Sequence, residues 1–340
     1  MSKRSEDIPK ISVVMSVYNA QEYLDEAIIS ILDQSFRDFE FIIIDDGSTD
    51  RTNEIIRHYA RQDSRVKIVI HKKNLGITKG LNTGFKMARG KYIARMDADD
   101  VSLRNRFLKQ YVYMERHPDV VVVGALAAYI NDASQIYGVE PFLLDDPEIR
   151  TEITLRNRQF RHGAVLIRQN VVNAMGKLYD TRAVHYEDFE YWPRLLKHGK
   201  GVNLPEVLYL YRKRYDSLTA TKEPEMRQGT ERVIARERAT MNLPGFRVKE
   251  MLAAYRTART YGPASVDVRD EQLRTYLKWQ YQLYLYELSG FYVERKDFFS
   301  ALCSMAMAVL INPFRFAYGS IVGIIHVLQR TQLQKDGSHL

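Results

Sequence analysis

The N-terminal part of the chain alternates apolar runs with segments of helical periodicity, and this alternation is the feature that most constrains the fold. Runs rich in Val, Ile, Tyr and Phe predict buried β-strands at residues 11–19, 39–44, 66–70 and 91–96. Apolar residues recur at helical spacing over 24–32 and 79–88. Strands that alternate with helices predict an α/β domain, with a mostly parallel sheet that helices cover on both faces.

Polar side chains lie at or next to the carboxyl ends of three of the predicted strands. These residues are Tyr18, Asp46 and Asp97. In open parallel sheets, ligands bind in the crevice outside the carboxyl ends of the strands. The sequence therefore predicts a binding site at this edge of the sheet.

The segment Asp97-Ala98-Asp99-Asp100 carries the strongest chemical signal at that edge. A strand that ends in this segment directs the carboxylates of Asp97 and Asp99 toward one point, which suits a hard divalent cation that holds a diphosphate. The structural alternative is an acidic turn before a helix that begins near Ser102. Asp100 is expected only to cap that helix.

Four stretches resemble inverting glycosyltransferases of family 2, which have the GT-A fold. They read ISVVMSVYNAQEYLDEAIISILDQSF, FEFIIIDDGSTDRT, NLGITKGLNTGFKMARGKYIARMDADD and HYEDFEYWPRLLKHG. Their order and spacing are those of the family, and together they span roughly the first two thirds of the chain. The resemblance implies transfer of a sugar from a nucleotide sugar, as in bacterial and archaeal surface-polysaccharide enzymes.

The resemblance also implies how the nucleotide sugar is bound. Ser16 and Tyr18 match positions that hold the nucleotide base, and Asp46 matches a carboxylate that accepts a hydrogen bond from it. Asn74 and Lys79 match a loop that approaches the sugar or the phosphates. The structural alternatives are a core aromatic at Tyr18, a helix cap at Asp46, a turn at Asn74 and a solvated Lys79.

Asp97 and Asp99 match the DXD motif of the family, which implies a divalent cation, Mn²⁺ or Mg²⁺. Asp97 would contact ribose or the metal, and Asp99 the metal that bridges both phosphates. Two positions depart from the family pattern. Leu81 stands where many relatives carry an arginine, so Lys79 or Arg95 would have to supply any phosphate contact made there.

The second departure is Arg214, which stands where many relatives place a third metal ligand, a histidine. Arginine pairs with phosphate oxygens but does not ligate a cation. Metal dependence is therefore less firmly implied than the DXD motif alone suggests.

The pair Glu187-Asp188 matches the ED motif of the family, in which the second acid is the catalytic base. An acceptor hydroxyl must lose its proton during inverting transfer, and a carboxylate in hydrogen-bond reach suits that task. Glu187 would orient the acceptor or bond to backbone amides. Acidic residues are also favoured in the first turn of a helix, so the pair can both begin a helix and act in catalysis.

His162 lies before a predicted strand, where relatives shape the acceptor pocket. It would contact an acceptor hydroxyl or the diphosphate. The structural alternative is a hydrogen-bond partner that only stabilises the fold.

The sequence predicts a catalytic domain over 1–225 and a helical extension over 226–340. Most of the net charge of +8 lies after Arg227, in a region that is also rich in apolar residues. Residues 298–328 are therefore predicted to contact a membrane surface, or else to pack on the catalytic domain or on a second copy of the chain. No nucleic-acid-binding motif is recognised.

The single cysteine, Cys303, suits a reducing compartment. The polar segment 1–10 does not resemble a signal peptide. We therefore expect a cytoplasmic protein at the inner face of the cell membrane.

These observations predict inverting, metal-assisted transfer from a nucleoside diphosphate sugar, with UDP as the expected nucleotide, to a saccharide or lipid-linked saccharide in polysaccharide or glycan biosynthesis. The alternative is an inactive binding or scaffold component of a membrane glycan-assembly complex. A dehydrogenase is excluded because G-x-G-x-x-G does not follow the first strand. A nucleotidyltransferase is disfavoured because residues 16–21 lack a glycine-rich basic loop.

Overall fold

The structure of the protein, a computed structural model, describes residues 8–140, 145–146, 149–150, 153, 159–214 and 222–240. One compact unit of the chain, called unit 1 below, spans Met1–Glu237. The predicted membrane-contact segment 298–328, Cys303 and nearly all of the predicted helical extension lie outside the described residues. The division into domains therefore stays a prediction.

The described residues form one sheet of nine strands. In chain order these are β1 Ile11–Val17, β2 Phe39–Asp45, β3 Val66–Ile70, β4 Tyr92–Met96, β5 Val101–Ser102, β6 Val120–Ile130, β7 Ile136–Glu140, β8 Leu166–Arg168 and β9 Lys200–Arg212. The order across the sheet is β3-β2-β1-β4-β8-β6-β9-β5, with β7 paired to β6. Strands β1 to β4 are mutually parallel, whereas β8 runs antiparallel to both β4 and β6.

Helices flank this sheet on both faces, as the sequence predicts. They are α1 Leu24–Leu32, α2 Thr52–Gln62, α3 Ile77–Met87, α4 Arg106–Arg116, α5 Gln169–Met175, α6 Glu187–Leu195 and α7 Glu223–Thr240. Alternate side chains of β1 point to opposite faces. Val13 joins a core with Ile28 of α1, Ile56 of α2 and Met114 of α4, whereas Val14 faces α3. None of the helices in these described ranges is long and apolar enough to cross a membrane.

The strand ends lie within two residues of the predicted ends. Strands β1, β2 and β4 end at Val17, Asp45 and Met96, so Tyr18, Asp46 and Asp97 follow at the carboxyl edge.

The predicted helix follows the Asp97–Asp100 segment, but its predicted start near Ser102 is wrong. Val101 and Ser102 instead form β5, which pairs with β9, and α4 begins at Arg106. The side chain of Gln34 also donates to the carbonyl of Ser102 at 3.2 Å. Tertiary hydrogen bonds therefore hold this backbone in an extended conformation.

Helix α3 approaches the sheet closely because it carries a glycine where it crosses β1 and β2. A Cβ atom at Gly84 would overlap Val14 and would lie 2.7 Å from Ile44 Cδ1. Both side chains are fully buried, so neither can move into solvent to make room for a Cβ atom. Gly84 thus fixes the distance between α3 and the sheet.

Replacing Gly84 by valine should lower the free energy of unfolding by about 3 kcal/mol, because overpacking of a close-packed core costs about 1–3 kcal/mol and valine adds three carbons. Urea denaturation of the full chain measures this change. Lys86→Val is the matched control, since Lys86 is exposed on the same helix. Equal stability of the two variants would contradict the packing described here.

Candidate active site

Tyr18 lies directly after β1 with 48% of its surface exposed. An exposed aromatic ring at the carboxyl edge of the sheet presents a face on which a nucleotide base can stack. Its exposure rules out the alternative of a core aromatic. The role of Tyr18 in base binding stays a prediction.

Asp46 is almost completely buried, and its carboxylate holds the turn that precedes α3. It accepts hydrogen bonds from the backbone N–H groups of Leu75, at 3.0 Å, and Gly76, at 2.7 Å. A further hydrogen bond of 2.7 Å joins it to His71 Nδ1. A nucleotide base would have to share this carboxylate with three partners already in place. Its role toward the base stays a prediction.

Three other predicted binding residues surround the N-terminal end of α3. Ser16 is half-buried beneath Gly80, where a Cβ atom would overlap the serine hydroxyl. Asn74 and Lys79 are both exposed, and Asn74 Oδ1 accepts a hydrogen bond from Gly76 N at 2.9 Å. The structure therefore groups Ser16, Asn74 and Lys79 with the turn that Asp46 holds.

A buried arginine, Arg212, fixes the backbone of the Asp97–Asp100 segment. Its Nε donates to the carbonyl of Asp99 at 2.8 Å, and its backbone N–H donates to Asp100 Oδ1 at 2.7 Å. Its guanidinium also pairs with Glu26 of α1 at 2.5 Å. The expectation that Asp100 only caps a helix is wrong, because its carboxylate instead anchors β9.

Asp97 and Asp99 lie next to each other at the end of β4. Asp97 forms an ion pair with Arg95, and its backbone N–H donates to Tyr209 Oη at 3.3 Å. A Cβ atom at Gly163 would lie 2.6 Å from Asp97 Oδ2, so glycine leaves room for this carboxylate. Burial and the charge of Asp97 raise the pKa of Asp99 to about 6.

These two carboxylates suit a cation that takes its remaining ligands from substrate phosphates and water. Repulsion between them raises the pKa of Asp99, and a bound cation would relieve that repulsion. Within the described ranges, no group of three or more His, Cys, Asp or Glu side chains could hold a metal ion. Magnesium sites often use one or two carboxylates and complete the coordination with substrate phosphates and water. Asp97 and Asp99 match that type of site.

Arg214 lies close to this site, at the predicted position of the third ligand. Its Nη2 is 3.7 Å from Glu22 Oε2, and its guanidinium lies 5.0 Å from the centre of the Tyr23 ring. Its charge also opposes the rise in the pKa of Asp99. The guanidinium of Arg214 cannot bind a metal ion. It can take the place of the missing histidine ligand only by pairing with phosphate oxygens.

The Glu187-Asp188 pair forms the first turn of α6, which confirms the predicted helix. Asp188 is half-buried, and its Oδ1 accepts a hydrogen bond from Phe189 N at 2.7 Å. Glu187 is 5% exposed, and within the described structure its Oε2 atom has no hydrogen-bond partner. Burial and the neighbouring charge of Asp188 raise the pKa of Glu187 to about 8.

Arg95 connects the two acidic clusters. Its side chain is 1% exposed and pairs with Asp97. Burial raises the pKa values of Asp99, Glu187 and Asp188, and the charge of Arg95 opposes each rise. The acids at the end of β4 and at the start of α6 therefore lie within electrostatic reach of one guanidinium.

From the sequence alone, Arg95 is expected only as a substitute phosphate contact. The sequence does contain a signal for its pairing with Asp97, namely an arginine inside an apolar strand, two residues before that aspartate. Residues two apart in a strand point to the same face, so the pairing of Arg95 with Asp97 follows from the pattern. Its approach to Glu187 and Asp188 depends on tertiary structure.

His162 faces the same region and carries no charge. Its Nε2 atom lies 2.9 Å from Tyr179 Oη, and burial, with the charges of Arg95 and Arg161, lowers its pKa well below the usual value. A neutral imidazole can donate or accept a hydrogen bond. His162 is thus placed to orient a hydroxyl, although its contact with an acceptor stays a prediction.

Asn82 of α3 supports the residue that pairs with His162. Its side chain exchanges two hydrogen bonds with the backbone of Tyr179, at 2.9 and 3.0 Å. The neighbouring Leu81 is fully buried. Position 81 of this chain therefore contributes to the core, in agreement with the departure noted in the sequence.

Comparisons with known proteins agree with this arrangement. Residues 12–176 match the family described as Glycosyl transferase family 2. The chain is 36% identical over 212 residues to the putative glycosyltransferase EpsE of Bacillus subtilis, covering 62% of this chain and 75% of EpsE. It is 31% identical over 200 residues to the amylovoran biosynthesis glycosyltransferase AmsE of Erwinia amylovora, covering 58% of this chain and 74% of AmsE.

A solved structure shares the fold. The crystal structure of S. aureus TarS in complex with UDP has a TM-score of 0.54 and 19% sequence identity, and the match covers 88% of this chain and 91% of that chain. This similarity shows the GT-A fold that the sequence predicts.

The raised pKa of Glu187 makes stability depend on pH. The folded state keeps the proton up to about pH 8, whereas the unfolded state releases it near the ordinary value of 4.5. The free energy of unfolding should therefore fall as the pH rises between these values. Glu187→Gln should reduce this fall, and urea denaturation at several pH values measures it.

Glu54→Gln serves as the control, because the Glu54 side chain is 74% exposed. It should follow the parent at each pH. If Glu187→Gln also followed the parent, the raised pKa would be wrong.

Proposed function

The chain belongs to glycosyl transferase family 2 and is a glycosyltransferase, and from this premise we propose that it moves a sugar from a nucleoside diphosphate sugar to a hydroxyl group, with inversion at the anomeric carbon. The observation that carries the proposal is the position of Arg95. One buried guanidinium influences both the Asp97–Asp99 pair and the Glu187–Asp188 pair.

The donor would bind at the carboxyl edge of the sheet. The exposed ring of Tyr18 would stack on the base, while Asn74 and the exposed Lys79 would approach the sugar and the phosphates. Ser16 and Asp46 would complete the base site. We propose UDP as the nucleotide, since the S. aureus protein TarS has been solved with UDP on the same fold.

Asp97 and Asp99 would hold a divalent cation, Mn²⁺ or Mg²⁺, together with the diphosphate. A bound cation of this type neutralises the negative charge that develops on the leaving diphosphate. Arg95 keeps the Asp97 carboxylate in place through its ion pair. Arg212 fixes the backbone carbonyl of Asp99, so the segment is already ordered before the donor binds.

Asp188 would act as the catalytic base. It would take the proton of the acceptor hydroxyl as that oxygen attacks the anomeric carbon, and the bond from this carbon to the diphosphate oxygen would break with both electrons leaving on the diphosphate. Because the pKa of Glu187 is raised to about 8, Glu187 is protonated near neutral pH. The negative charge of the pair would then reside on Asp188, the residue proposed to take the proton of the acceptor hydroxyl.

The acceptor would be a saccharide or a lipid-linked saccharide in polysaccharide biosynthesis. AmsE, one of the relatives, is named for amylovoran biosynthesis. Neutral His162, held by Tyr179, would orient the acceptor hydroxyl toward Asp188.

Asp188→Asn should lower kcat about 100- to 10,000-fold, the range that a general base contributes. Nucleotide affinity should stay unchanged, because the lost interaction acts on the transition state. Transfer assays and calorimetric titration with UDP measure the two quantities.

Asp119→Asn is the control for this variant. Asp119 is exposed and precedes β6, at the edge of the sheet opposite the strand ends described above. It should transfer at the parental rate. Unchanged turnover in Asp188→Asn would disprove the assignment of the base.

Asp99→Ala should weaken cation-dependent binding of the donor by more than about tenfold, a change that corresponds to about 1.4 kcal/mol. The physical reason is the loss of one of two carboxylates that hold the cation. Titration of donor with Mn²⁺, and again with chelator in its place, measures the effect. Equal donor affinity of the parent protein in both conditions would count against the metal role.

A further inference from the structure

Helix α7 touches the residue that precedes the catalytic pair. Gly229 is buried against Tyr186, and a Cβ atom at Gly229 would overlap the tyrosine ring and lie 2.6 Å from its Cγ. Tyr186 is the residue immediately before α6. The absence of a side chain at Gly229 therefore allows the ring to lie against the backbone of α7.

Apolar side chains continue this contact on the other side of Asp188. Phe189 is fully buried and forms a cluster with Val233 and Ile234 of α7, against which Tyr186 packs. Asp188 is thus flanked along the chain by two aromatic residues that both contact α7.

A charged contact completes the interface. Arg236 Nη1 lies 3.4 Å from Glu190 Oε1, and Glu190 is also paired with Arg194 at 2.8 Å. The side chain of Glu190 is 8% exposed, so this carboxylate is held in a fixed position. All of these contacts lie within unit 1, Met1–Glu237.

We propose that α7 positions the catalytic base, with Gly229 and Tyr186 as the positioning residues. The proposal rests on the function proposed above. Residues 186, 189 and 190 contact α7, while the Asp188 carboxylate accepts a hydrogen bond from the backbone N–H of its neighbour Phe189. The direction of the carboxylate therefore depends on how α6 is seated against α7.

This arrangement predicts a specific kinetic effect. A side chain at position 229 would push the Tyr186 ring and turn the first residues of α6. A misplacement of about 1 Å in a catalytic group can cost about 100-fold in rate. The donor site at the end of β4 has its own supports in Arg95 and Arg212, so donor binding should not change.

The test compares Gly229→Ala with Gln228→Ala in the full chain. Both place alanine on the same helix, but Gln228 is exposed. Gly229→Ala should lower kcat about tenfold or more while the donor KM stays within about twofold, the pattern of an interaction needed only in the transition state. Gln228→Ala should behave as the parent.

A double-mutant cycle separates positioning from general packing. Tyr186→Ala removes the ring that a Cβ atom at position 229 would overlap. Adding Gly229→Ala to Tyr186→Ala should then have little further effect on kcat, so the two effects are strongly non-additive. Additive effects would overturn the role of this contact.

Amide hydrogen exchange over residues 186–190 tests the inference independently of transfer. Exchange there should be faster in Gly229→Ala than in Gln228→Ala, and equal exchange would overturn the inference. If the parent transfers no sugar from any nucleotide donor, the proposed function fails instead. Should Gly229→Ala not fold, Arg236→Gln replaces it, and unchanged kcat together with unchanged exchange in that variant would also overturn the inference.

Discussion

The buried guanidinium of Arg95 is the interaction on which the rest of the site depends. Moving a charge out of water costs several kcal/mol unless opposite charges compensate it. Asp97 supplies a direct ion pair, and Asp99 and Asp188 lie within electrostatic reach of the same guanidinium, Asp188 coming from a distant part of the chain. The requirement to neutralise this one buried cation therefore places the acids proposed to bind the donor and the proposed base in the same region.

Other buried contacts hold the Asp97–Asp100 segment and the region of the Glu187–Asp188 pair in place. Arg212 joins the Asp97–Asp100 segment to Glu26 of α1, so that β9 and α1 both support the proposed donor site. Helix α7 contacts Tyr186, close to the proposed base in the chain, through Gly229. Each support comes from a segment remote in sequence from the acids it holds. Changes far from the reacting atoms can therefore alter transfer without touching the substrates.

The sequence predicted the elements near the N-terminus well, because the periodicity of β1, β2, β4 and α3 is local. It placed Tyr18 and Asp97 at the correct edge of the sheet for the same reason. It missed β5, since the partners of Val101 and Ser102 lie in β9. It predicted a turn at Asn74 but missed that Asp46 holds this turn, and it missed the central position of Arg95; both depend on tertiary contacts. Side-chain partners about thirty or more residues away leave no local pattern.

The most direct test of the account is a crystal structure of the full chain with Mn²⁺ and whichever of UDP, GDP and dTDP binds most tightly. We expect the diphosphate to lie between the proposed base site at Tyr18 and the carboxylates of Asp97 and Asp99, with the Asp188 carboxylate in the same cleft. A diphosphate bound away from Asp97 and Asp99, or an Asp188 carboxylate that faces a different surface, would contradict it.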